Sequence, residues 1–116
     1  MIIYLNRSNS VDHELLYTES GKTARQAFNL SSASEIILEF LKGSSVRKSL
    51  SSLSHPGITV LSASGGRVRY RPQSTDFNDV SDYQLIDGMR WVVKSPSYTN
   101  GVVFGTPPFP VEVRKS

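Results

Sequence analysis

Residues 83–93, in the second half of the chain, form two short, largely apolar segments on either side of Asp87-Gly88. They predict two short β-strands joined at that dipeptide, which favours the type I′ turn of a hairpin because both turn positions need a positive φ. Successive side chains of a strand point to opposite faces, and we expect the face with Trp91, the only tryptophan, to pack in the core. That face would carry Gln84, Ile86, Met89, Trp91 and Val93.

The N-terminal half contains segments with the spacing of helices. Residues 32–35 fit a capping box, in which a serine hydroxyl and a glutamate carboxylate bind free amides at a helix start. An apolar stripe follows from Ile36 to Leu41, and Gly43 stands where a glycine commonly ends a helix. Residues 46–53 repeat apolar side chains at helical intervals, so a second short helix is predicted there, although its serines favour caps and turns.

The other hydrophobic segments predict β-strands. We expect residues 2–5 and 14–18 to pair as the first two strands. Later strands are predicted at residues 58–63, 67–71, 102–104 and 111–114, with a hairpin turn at Asn100-Gly101. The expected architecture is one α+β domain over residues 1–116. It would consist mainly of an antiparallel β-sheet or small β-barrel, with one or two short helices inserted in the N-terminal half.

Composition excludes several classes of protein. The chain has 116 residues and no cysteine, which excludes a disulfide scaffold, a thiol nucleophile and a cysteine-based zinc site. No apolar run is long enough for a transmembrane helix. The first residues lack the features of a secretory signal peptide, so we expect the protein in a virion or the cytoplasm, with no membrane partner.

Charge is distributed in blocks although the net charge is only +3. Residues 41–74 contain six basic residues and no acid, and residues 75–89 contain four aspartates and no base. These blocks could balance on the surface of one molecule or pair between neighbouring copies. Alternation over residues 67–71 places three arginines on one strand face, which could contact phosphates of nucleic acid. The predicted interaction residues are Arg67, Arg69, Arg71, Asp76, Asp79 and Asp82.

Short motifs for catalysis are incomplete in this chain. Residues 20–23 match the end of a phosphate-binding loop, but Leu16 stands where that loop needs glycine. Residues 45–48 have the Ser-x-x-Lys spacing without its companion motifs. The two histidines form no metal-binding motif, and the aspartates of residues 76–82 lack the glycine and glutamate of an EF-hand. We therefore predict no catalytic, metal-binding or cofactor-binding residue and no cofactor, and expect a protein that is not an enzyme.

The strand Arg67-Val68-Arg69-Tyr70, the acidic loop after it and the segment from Leu85 to Val93 together resemble small head–tail joining proteins of tailed phages, of the head-completion or stopper type. The resemblance covers about the C-terminal third to half of the chain. It implies a small β-barrel that forms rings at the neck of the virion without catalysis. The helical segment and the proline-rich end depart from that pattern.

The expected function is that of a non-enzymatic structural or assembly protein of a phage-like virion. Its partners would be further copies of itself, arranged in rings, and neighbouring structural proteins. The alternative is a small basic nucleic-acid-binding protein that uses the arginine-faced strand.

Overall fold

The computed structural model describes residues 1–7 and 9–115, and it is almost entirely β: 53% of the chain lies in strands and 3% is helical. The α+β prediction is therefore wrong. In chain order the strands are β1 (Ile2–Tyr4), β2 (Val11–Glu14), β3 (Leu16–Thr18), β4 (Arg25–Ala27), β5 (Glu35–Lys42), β6 (Ser45–Ser51), β7 (Ile58–Ser62), β8 (Arg67–Tyr70), β9 (Gly88–Ser95), β10 (Tyr98–Pro110) and β11 (Glu112–Arg114). The one helical element among the described residues is a 3₁₀ turn, Tyr83–Leu85.

The strands form four sheets, and none of them closes into a barrel. The largest has the antiparallel order β10-β9-β5-β6, and a three-stranded antiparallel sheet has the order β2-β8-β7. Strands β3 and β4 form a small antiparallel pair, and β1 pairs in parallel with β11. The first two predicted strands therefore do not pair with each other as expected, because β1 takes its partner from the other end of the chain.

Both predicted helices are strands of the largest sheet. In β5, Leu38 lies opposite Trp91 and Phe40 lies opposite Met89, and all four side chains are fully buried. The amide of Ile36 donates to the Ser52 hydroxyl at 2.9 Å, which links the start of β5 to the residue after β6. The apolar run from Ile36 to Leu41 is compatible with the period of a helix and with that of a strand. The run forms a strand because β5 pairs on both edges, and alternate side chains are then buried against the other sheet.

Gly43 does end an element, but that element is a strand. It turns the chain from β5 into β6 with a φ of +60°, and its amide donates to the Asp87 carboxylate at 2.9 Å. The predicted hairpin at Asp87-Gly88 is absent, since the amide of Asp87 donates to the Leu41 carbonyl and Gly88 begins β9 without a positive φ. Asp87 therefore supports a turn that is distant in sequence.

The hairpin of this region joins β9 to β10 instead. It turns at Pro96-Ser97, with Tyr98 paired to Ser95. The predicted Asn100-Gly101 turn is also wrong: these residues lie within β10 at a register shift, where Gly101 has a φ of +89°. The glycine supplies the unusual backbone of a bulge rather than that of a hairpin turn.

The predicted strands at residues 58–63 and 67–71 are confirmed as β7 and β8. The core-facing prediction is also largely right, because Ile86, Met89, Trp91 and Val93 are buried whereas Gln84 is exposed.

One hydrophobic cluster draws side chains from both larger sheets. Phe40 of β5 packs edge-on against Tyr70 of β8, with ring centroids 5.8 Å apart. The three-stranded sheet therefore covers the inner face of the four-stranded one. Within the described residues, no helix has the length and apolar character needed to cross a membrane.

Candidate functional site

The predicted interaction residues do not form a single site. Arg67 and Arg69 lie on the outer face of β8, opposite Glu14 and Asp12 of β2. The guanidinium of Arg69 donates two hydrogen bonds to the Asp12 carboxylate, at 2.7 and 2.9 Å. These bonds hold the pKa of Asp12 below its ordinary value and raise that of Arg69. The arginine face is thus partly neutralised by the neighbouring strand.

The acidic loop pairs with the basic block of the same chain. Asp79 accepts a hydrogen bond from Lys48 of β6 at 2.7 Å, and this bond lowers the pKa of Asp79. Asp82 lies 3.5 Å from the Nε of Arg47. The two charged blocks therefore balance within one molecule, and their pairing between copies is not needed to satisfy these aspartates.

Asp76 differs from the other acids because it is buried. Its Oδ1 lies 2.7 Å from Nε2 of His55, and its Oδ2 accepts hydrogen bonds from the Tyr70 hydroxyl and from the Gln73 amide. The amide of Gly57 donates to Nδ1 of His55 at 3.0 Å, so the proton of the neutral ring lies on Nε2 and is donated to Asp76. Burial, reinforced by Asp76, raises the pKa of Tyr70 far above its ordinary value.

This buried network ties three segments together: β8, the loop after it and the turn before β7. Each buried side-chain polar atom of the network has a hydrogen-bond partner, and Tyr70 is fully buried. The network therefore stabilises the fold and is not an accessible acid–base pair. Asp76, which the sequence predicts to be an interaction residue, is therefore buried within this network. His55 and Asp76 are 21 positions apart, so no local sequence pattern indicates their contact.

The free edges of the two larger sheets offer the clearest candidate for an interaction site. Natural edge strands avoid unwanted pairing by carrying charges, prolines or bulges. Three of the four outer strands carry charge or proline: β2 has Asp12 and Glu14, β6 has Arg47 and Lys48, and β10 has Pro108 and Pro110. The fourth, β7, reads Ile-Thr-Val-Leu-Ser and has neither.

The edge of β7 is also uncovered. Val60 and Leu61 are 43% and 39% exposed, and Thr59 before them is exposed as well. A register shift leaves Leu61 without a partner in β8. The exposure of three consecutive residues shows that this part of the outer strand is open to solvent.

A second candidate is a groove between the β3–β4 pair and the start of β10. It has a volume of about 520 Å³ and is lined by aromatic and hydroxyl-bearing side chains. No group of three or more His, Cys, Asp or Glu residues that could hold a metal occurs within residues 1–7 and 9–115.

Comparison with protein-family models, with curated proteins and with solved structures gives no match to this chain.

Proposed function

We propose that this protein is a non-enzymatic assembly protein, part of a phage-like virion, that joins copies of itself or neighbouring structural proteins through the edge of β7. The observation that carries the proposal is the contrast between β7 and the other outer strands. Among the outer strands of the two larger sheets, only β7 combines exposed edge residues with the absence of charge and proline, and its one protective feature is the register shift at Leu61. An edge strand without charge or proline can accept another strand, whose main chain completes the unpaired N–H and C=O groups.

The virion context is supported by the resemblance of residues 67–93 to head–tail joining proteins. One part of that resemblance, the hairpin at Asp87-Gly88, is absent from the structure, while the arginine-bearing strand and the acidic loop are present. The genes beside this reading frame test the context directly. Portal, terminase or tail genes would support it, and their absence would contradict it.

Light scattering over a range of protein concentrations tests assembly. We expect wild type to self-associate and Leu61→Lys to remain monomeric, because a charge on the edge opposes strand pairing. Val46→Lys on β6 is the matched control, since Val46 is 42% exposed on an outer strand that already carries two cations. Association should change little with salt, because the charged blocks are paired within the molecule. Wild type that stays monomeric throughout, or equal disruption by both variants, would contradict the proposal.

Nucleic-acid binding is the second candidate, and the exposure of Arg67 and Arg71 favours it. Because Arg69 is already bound to Asp12, we expect any binding to duplex DNA at low salt to depend more on Arg67 and Arg71 than on Arg69. Filter binding with each arginine changed to alanine measures this. An equal loss in all three variants would contradict the assignment.

A further inference from the structure

The groove beside the β3–β4 pair is built around three aromatic rings. Phe28 lies at its centre, with ring centroids 6.0 Å from Tyr17 and 6.2 Å from Tyr98. Phe104 packs against Phe28 at 5.0 Å, which holds the central ring in place. Tyr98 is 52% exposed and Tyr17 is 37% exposed, so ring surface is left open to a ligand.

The rest of the lining mixes polar and apolar side chains, and only one of them is charged. It consists of Glu19, Asn29, Ser32, Ser95 and Ser97, together with Ala33, Val93 and Val102. The Oδ1 of Asn29 accepts from the amide and the hydroxyl of Ser31, at 2.9 and 2.7 Å. Its amide group is therefore fixed in orientation, and its two N–H hydrogens remain as donors. The carboxylate of Glu19 is paired with Lys22 at 2.8 Å, which balances its charge.

This lining selects among classes of ligand. No lysine, arginine or histidine borders the groove, so it lacks the cations that phosphates and nucleic acids require. Val93 and Ser95 of β9 are two residues apart and present one face of the sheet to the groove. Open aromatic faces surrounded by hydroxyl and amide groups suit a ligand with apolar C–H faces and many hydroxyls.

We propose that this groove binds a neutral saccharide, stacked on Tyr98 and hydrogen-bonded by Asn29 and the serines. Its volume of about 520 Å³ lies within the range of small-molecule sites. The site is separate from the β7 edge, so a result against one of the two proposals does not affect the other.

A neighbouring groove extends the site. It has a volume of about 440 Å³, shares Tyr17 and Val102 with the first, and adds Glu14, Arg25 and Phe109. Tyr17 thus stands between two adjoining compartments. A chain of several sugar units would occupy both, so affinity should rise from a disaccharide to a tetrasaccharide.

Saturation-transfer NMR followed by titration tests the proposal on the full chain. The probes are maltotetraose, cellotetraose, chitotetraose and the tetrasaccharide of repeated N-acetyllactosamine, each with its disaccharide. We expect at least one tetrasaccharide to bind, with contacts to tyrosine ring protons. Tyr98→Ala should weaken it by about tenfold, the effect expected for losing an aromatic contact. Tyr98→Phe should weaken it less, because the ring remains.

Asn29→Asp isolates the amide donor, because an aspartate oxygen can still accept both bonds from Ser31. It should weaken binding without changing the melting temperature. Leu85→Ala, at an exposed residue outside both grooves, is the matched control and should bind as wild type does. The proposal is overturned if no tetrasaccharide binds at about 10 mM, if Tyr98→Ala binds as tightly as wild type, or if a phosphorylated sugar binds more tightly than its neutral parent.

Discussion

Trp91 of β9 donates its indole N–H to Nδ1 of His13 in β2 at 2.9 Å, and this bond links the two larger sheets. The His13 ring also stacks on Phe109, with centroids 4.3 Å apart. Because Nδ1 accepts the bond, it carries no proton in the folded protein. Burial of the ring lowers its pKa, and the nearby Asp12 only partly opposes this effect.

Stability should therefore fall as the pH drops below about 6.5, the ordinary pKa of histidine in an unfolded chain. Above that pH His13 is neutral in both states and its contribution is fully present. Below it the unfolded chain takes up a proton that the folded protein resists, so the free energy of unfolding decreases by up to about 1.4 kcal/mol per pH unit. Urea denaturation at intervals between pH 7 and pH 5 measures the slope.

The variant His13→Gln serves as the control for this slope. Glutamine can accept the bond from Trp91 but does not titrate, so the variant should be less stable at pH 7 and should show a flatter profile from pH 7 to 5. The same slope in wild type and variant would show that another group is responsible.

Removing the Asp76 carboxylate should be strongly destabilising. Asp76→Ala leaves the Tyr70 hydroxyl, the His55 ring and the Gln73 amide without their shared acceptor in a buried site, at a cost of about 3 kcal/mol. Asp79→Ala, in the same loop but exposed, should change stability little. Thermal unfolding of the two variants makes the comparison, and similar melting temperatures would contradict the role assigned to Asp76.

Gly101 and Gly43 form a matched pair for testing the bulge in β10. Both have a positive φ, so alanine is strained at each by about 1 kcal/mol. A Cβ at Gly101 would also lie 2.4 Å from the side chain of Val92, whereas nothing lies within 4 Å of one at Gly43. We expect Gly101→Ala to cost about 1–3 kcal/mol more than Gly43→Ala, as overpacking does in other proteins. Equal costs in denaturant titration would mean that Val92 moves aside.

The arginine-bearing strand shows which features the sequence can predict. Val68 and Tyr70 are buried and Arg67 is exposed, as strict alternation at a period of two predicts. The burial of Trp91 and Met89 was predictable for the same reason. The pairing of Arg69 with Asp12 was not, because the two residues are 57 positions apart and only the register between β2 and β8 makes them neighbours.

The sequence by itself determined where apolar side chains concentrate, which strands alternate cleanly and where charge collects. Tertiary structure decided that β5 and β6 are strands, because the pairing of β5 with both β9 and β6 outweighs a helical pattern that the same apolar run also satisfies. It also decided that Asp87 supports the turn at Gly43, that Asp76 is buried and that β7 is left as an uncovered edge. These outcomes depend on contacts between distant segments, and local propensity cannot specify them.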